Sequence, residues 1–220
     1  MLKTAIPEMS EDDVASRTQE ARESHGTVSI RSTIHRLLTQ LGEDPAREGL
    51  SQTPRRAAES WQFLTGGTQV CARAIAREAV FKSPGNDLVV QRNIEFYSLC
   101  EHHLLPFFGH MHVAYLPQGK LIGLSKIDRT VDVFARRLQL QERLTRQVAD
   151  TLEEVLLPRG IAVIAQAHHL CLKMRGVQKQ GTTTLTCVTR GAFDTDTALF
   201  AKLLHLLNLK DPLPLATGSP

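Results

Sequence analysis

The chain is 220 residues long and 42% apolar, enough for one globular domain with a sizeable core and a smaller appended unit. Its 26 Lys and Arg stand against 23 Asp and Glu, and a net charge of +3 makes no case for nucleic acid or an anionic membrane as partner. No apolar run approaches the ~20 residues needed to cross a bilayer, and the four widely spaced cysteines do not form the dense framework of a small secreted domain. A cytoplasmic protein with reduced thiols is the expectation.

Residues 1–27 carry six acidic and three basic side chains and no apolar h-region, so they read as a polar, disordered tail rather than a signal or transit peptide. Val28, Ile30, Ile34, Leu37, Leu38 and Leu41 then recur at helical spacing up to Gly42. A second helix opens at Thr53 as N-cap with Pro54 in the first turn, and stops at Gly66-Gly67. Together they predict a helical unit over 28–85.

Two strands follow, over 86–99 and 109–124, the second containing a turn at Pro117-Gln118-Gly119. Helix returns from Ser125, whose pairing with Asp128 is a weak capping box, to Leu157, with a break near Leu138 and Leu140. Pro158-Arg159-Gly160 ends it, strands over 161–176 and 182–193 come next, and a short helix finishes near Asn208. Paired strands separated from helices indicate an α+β antiparallel layout. A flexible tail is expected over 211–220.

Chemistry-bearing residues concentrate at Cys100-Glu101-His102-His103. In the predicted strand over 161–176, His169, Cys171, Lys173 and Arg175 share one face, while His168 points the other way as a packing or hydrogen-bonded histidine. The Cys100-x-x-His103 pair and Cys171 make a Cys2His set, which leaves one tetrahedral position for water and favours zinc over the hard, oxygen-seeking ions. The alternative is that both thiols are inert and buried and the histidines are satisfied core groups. His102 and His169 remain as candidate general acids or bases.

Ser125, Lys126 and Arg129 near a helix start, with Lys173 or Arg175 and with Arg56 upstream, could clamp a polyphosphate. Gln141 and Glu142 read, by position alone, as an exposed first turn. Cys71 and Cys187 read as packing residues, and His110 and His112 as solvated residues on one strand face.

The runs "FYSLCEHHLLPFFG", "LIGLSKIDRTVDVFARRLQLQERLTRQ" and "HLCLKMRGVQK", with "GEDPAREGLSQTPRRAAESWQFLTGG" upstream, closely resemble the GTP cyclohydrolase I family over about residues 28–194. The resemblance implies that Cys100, His103 and Cys171 hold Zn2+ and that His102 and His169 are catalytic, with Ser125 shuttling protons in later steps. It places Glu142 and Gln141 on the guanine ring, and Lys126, Arg129, Arg175 and Arg56 on the ribose and triphosphate, Arg56 acting on a neighbouring subunit's site.

The implied fold is the tunnelling fold over 86–210, an antiparallel four-stranded sheet with two helices on one face. Such subunits would close into a toroidal oligomer, a decamer of two pentamers. The implied activity is conversion of GTP to 7,8-dihydroneopterin triphosphate and formate, the first step of tetrahydrofolate and pterin biosynthesis. Two other readings stay open: a same-fold paralogue acting on another purine or pterin, and a binding protein with a structural zinc. Cys187 and Arg190 depart from the small or apolar residues usual there, and Glu101 is expected to anchor the turn.

Overall fold

A computed structural model describes residues 29–208. These divide between Phe63 and Leu64 into two compact units. The tails expected over 1–27 and 211–220 lie outside the described residues.

In the first unit, helix α1 covers 29–40 and helix α2 starts at Thr53 and runs to Thr65. Gly42 takes φ +84, and its N–H reaches Thr39 O at 3.0 Å while that of Glu43 reaches Leu38 O at 3.0 Å. These paired bonds around a left-handed glycine are a Schellman stop, which explains why the helical spacing ends there. Pro54 sits in the first turn of α2, where its missing N–H costs nothing.

The second unit begins with a 3-10 turn at Gly66–Gln69, helix α3 (Ala72–Arg77) and strand β1 (Val80–Lys82). Its main sheet has the order β5-β2-β3-β6-β7, formed by β2 (Val89–Cys100), β3 (Pro106–Leu116), β5 (Leu138–Gln139), β6 (Gly160–His169) and β7 (Thr184–Gly191). The four long strands pair antiparallel, and the two-residue β5 pairs parallel with the end of β2. Strand β4 (Lys120–Ile122) pairs with β1 in a separate small sheet.

Helices α4 (Leu124–Ala135) and α5 (Gln141–Leu156) carry Ile127, Val131, Leu144, Val148 and Leu152, all fully buried at helical spacing. They join Phe96, Met111, Val113, Ile161, Val163 and Ala165 in the main core. At about 1.5–3 kcal/mol per fully buried large aliphatic side chain, this layer is the dominant stabilising contribution. The alternate residues Ala114, Ala162 and Ile164 pack with Phe193 of α7 (Ala192–Thr195) and Leu203 of α8 (Thr197–Asn208). Strand β6 is therefore covered on both faces, which is why it reads as a nearly unbroken apolar run. The mixed α+β arrangement is consistent with the tunnelling fold.

Several local expectations are corrected. The strand predicted over 161–176 ends at His169 and gives way to a helical turn, α6 (Leu170–Lys173). The ladder runs out where Phe107 faces His169, because the next position on β3 is Pro106, which has no N–H to donate. The strand over 109–124 is two strands, since β4 leaves for β1, and residues 64–85 hold β1 as well as helix. Ser125 is not an N-cap: Gly123 occupies that place and Ser125 lies inside the first turn. Cys71 and Cys187 are exposed rather than packed, the first preceding α3 and the second on the edge strand β7.

Candidate active site

Strand β2 ends in a tight turn. Cys100 N–H donates to Leu105 O (2.8 Å), and the N–H groups of Leu104 and His103 return to Cys100 O at 2.8 and 3.3 Å. Leu104 takes φ 57 to close it, a left-handed conformation that a leucine adopts only when its surroundings impose it. The turn buries Cys100 and lifts His103 to the surface, with Cys100 Sγ 3.8 Å from His103 Nδ1. The α6 turn brings buried Cys171 to the same point, and donor atoms of the three residues lie within 4.8 Å of one another.

Metal–ligand bonds of about 2.0–2.3 Å fit a triangle of that size after a small contraction. Burial, and then the facing Cys100 thiol, push the Cys171 thiol above its ordinary value, with Arg175 pulling weakly the other way. A soft divalent cation between the sulfurs would reverse that balance, so the donor chemistry fits zinc. Among the described residues no fourth Cys, His, Asp or Glu joins the group.

The turn is tied to the start of α5. Glu101 N–H donates to Gln139 O (3.1 Å), and Arg143 Nη2 donates to Glu101 Oε2 at 2.6 Å. The other carboxylate oxygen lies 4.0 Å from His102 Nε2, an exposed ring. Gln139 is itself buried, donating to Phe134 O and Gln147 Oε1 and accepting from Leu140 N–H.

His169 stacks on Phe107 with centroids 4.7 Å apart and planes 2° from parallel. Its Nε2 lies 2.8 Å from Gln141 Oε1. Burial lowers its pKa, against an opposing pull from Glu142. Glu142 is exposed in the first turn of α5, whereas Gln141, expected there as well, is 1% exposed. His168, on the opposite face, accepts from Lys173 Nζ at 2.7 Å and lies beside Phe108.

The cationic residues are arranged differently. Lys126 donates to the Glu78 carboxylate, whose pKa is lowered by that bond and charge, with Arg129 assisting. Ser125 and Arg129 are exposed, and among the described residues no hydrogen bond or ion pair joins them to the Cys100–His103–Cys171 triangle. Arg175 is exposed close enough to influence Cys171. Arg56 is exposed on α2, in the first unit.

Reasoning from sequence misses the Glu101–Arg143 pair, the Phe107–His169 stack and the Glu78–Lys126 pair. Only Glu101 carries a hint, as the remaining charged residue of the Cys-Glu-His-His run; Arg143 and Glu78 look like ordinary surface charges.

A profile of the GTP cyclohydrolase I family matches residues 30–208. The chain is 49% identical over 183 residues to GTP cyclohydrolase 1 of Methylococcus capsulatus, covering 83% of this chain and 99% of that one. It is 47% identical over 180 residues to the protein of the same name from Campylobacter concisus, covering 82% and 95%. With the enzyme of Alkalilimnicola ehrlichii it shares 51% identity over 178 residues, 81% of this chain and 96% of the other. The solved apo structure of archaeosine synthase QueF-Like covers 50% of this chain and 97% of its own at 20% identity, with a TM-score of 0.40, a likeness too weak to bear on the site.

Proposed function

The chain belongs to the GTP cyclohydrolase I family, and on that premise we propose that it converts GTP to 7,8-dihydroneopterin triphosphate and formate, opening pterin and tetrahydrofolate biosynthesis. The observation that carries the reading is the Cys100–His103–Cys171 triangle, with His169 two residues from one ligand and His102 beside another. Those three residues would hold zinc. The ion supplies Lewis-acid activation of water for hydrolysis at purine C8.

The chain's own groups do the rest. His169 and His102 handle the proton at purine N7, which makes C8 electrophilic. Glu142 accepts from the N–H groups on the guanine edge, a match of acceptor to donors that also rejects adenine. Lys126, Arg129 and Arg175 take the ribose and triphosphate, with Arg56 acting on a neighbouring subunit's site, and remote binding energy there holds the base in register. Ser125 serves proton transfers in the later ring closure. Three protein ligands, with no fourth among the described residues, favour an open, catalytic position over a structural zinc.

Assembly into a decamer of two pentamers belongs to the same reading. It is supported by two sheet edges left open among the described residues: β7 at one side, with Leu185 65% exposed, and β2 at the other, where β5 pairs only Leu99 and Cys100. No described helix is long and apolar enough to cross a membrane; the reading places the enzyme in the cytoplasm, with no nucleic-acid partner. The test is incubation of zinc-loaded protein with GTP while formate and dihydroneopterin triphosphate are followed. Formation of both is expected, and zinc-replete protein that releases no formate would overturn the proposal.

A further inference from the structure

Gln141 is the first residue of α5 and is 1% exposed, so each polar atom of its amide must find a partner in the protein. Its Nε2 lies 3.0 Å from Ala165 O, 3.0 Å from Thr184 O and 3.1 Å from Thr186 Oγ1. Backbone carbonyls only accept. The NH2 end therefore faces β6 and β7, and turning the amide over would set its oxygen against two buried carbonyl oxygens.

A second chain of donors leads to the same orientation. The Thr145 hydroxyl donates to Gln141 O at 2.8 Å, an acceptor with no alternative role. Thr145 and Thr186 hydroxyl oxygens are 2.6 Å apart, and Thr145 has already used its hydrogen, so Thr186 donates to it. Thr186 is then an acceptor toward Gln141 Nε2. The β6–β7 register, pairing Ala165 with Thr186 and Ala167 with Thr184, holds these groups in place.

With the amide direction set, Gln141 Oε1 faces His169 Nε2 at 2.8 Å and can only accept. The geometry points to Gln141 as a positioning residue that holds His169 in the tautomer with hydrogen on Nε2, making Nδ1 the nitrogen that exchanges protons with the substrate. The parallel stack on Phe107 fixes the plane of the same ring. Gln141 is thus withdrawn from the guanine ring, and recognition of the base falls to its exposed neighbour Glu142. The inference rests on the reading of His169 as a proton-transfer group.

Neutron diffraction from deuterium-exchanged crystals of the zinc-loaded enzyme reads the tautomer directly and requires no variant. Deuterium on His169 Nε2 is expected; its absence there overturns the assignment. In parallel, Gln141→Met keeps the side-chain length and removes the acceptor. It should lower kcat about 10–100-fold, the usual cost of removing an orienting partner, with zinc content unchanged and KM for GTP within about twofold. A raised KM at unchanged kcat would make Gln141 a substrate contact and overturn the inference. His169→Ala separates the two failures: if it turns over normally, the role of His169 falls, whereas an inactive His169→Ala beside an unaffected Gln141→Met removes only the role of Gln141.

Discussion

The turn at Cys100–Leu105 and the start of α4 are both rich in charged and polar side chains, yet they are built on opposite plans. Around the turn, the backbone groups close on one another, Glu101 is matched by Arg143, and Gln139 and Gln141 are fully engaged inside the chain. At α4, Lys126 rests on an exposed carboxylate, Glu78, while Ser125 and Arg129 face solvent. In the proposed function the metal and proton-transfer groups are thus preorganised in advance of substrate, as electrostatic catalysis requires. The cations stay adjustable, and in the proposed function a phosphate takes the place of Glu78 beside Lys126.

Substitutions on the two sides should therefore fail in different ways. Cys171→Ala has the largest expected effect: loss of stoichiometric zinc by metal analysis, and turnover at background. Metal retention with normal activity would show that the triangle is not the centre. His169→Ala should keep its zinc yet lose about 10²–10⁴-fold in kcat, the range for a general acid or base; single-turnover formate release measures it.

Arg143→Met, which removes the partner of Glu101, should cost about 10–100-fold in kcat with little change in KM. A pure KM effect would place Arg143 on the substrate instead. On the α4 side the pattern should invert. Lys126→Ala should raise the Kd for GTP about tenfold, roughly the 1.4 kcal/mol of one charge-assisted bond, and leave zinc binding intact. A kcat-only defect would erase the distinction between the two regions.

The smallest effect concerns a part of the sheet in neither region. His112 accepts the Asn93 N–H at 3.1 Å, and its pKa is lowered by burial and then by His110 and Arg92. As pH falls, the unfolded chain takes up that proton near the ordinary histidine value of 6.5, ahead of the folded one. The stability contribution is thus complete above that pH and is lost as pH falls from there through the folded value. His112→Asn keeps an acceptor for Asn93 but does not titrate, so its acid-side loss in urea melts should be shallower than that of the wild type. Equal slopes would show that His112 titrates alike in both states.

Features that depend on neighbours in the chain are legible in the sequence. Cys100 and His103 are three residues apart in one turn, and Gly42 and Pro158 stop helices for reasons contained in their own backbones. Strand alternation brings Cys171 to the same site, but for a reason the pattern does not contain. It puts Cys171 and His169 on one strand face, whereas Pro106 ends the ladder and a helical turn delivers the thiol. The β1–β4 pair is beyond reach because three-residue strands carry too little periodicity. Gln141 reads as exposed because burial at a helix start depends on β6 and β7, distant in sequence.

The open edges of the sheet bear on how the protein must be handled as well as on what it assembles into. Among the described residues no strand pairs with the outer side of β7, where Leu185 is exposed, and on the far side of β2 strand β5 pairs only with Leu99 and Cys100. Any extended segment can add to such an edge. In the proposed assembly a neighbouring copy covers these edges, so a dilute or newly made chain is exposed to aggregation, and activity lost on dilution should fail to return on reconcentration.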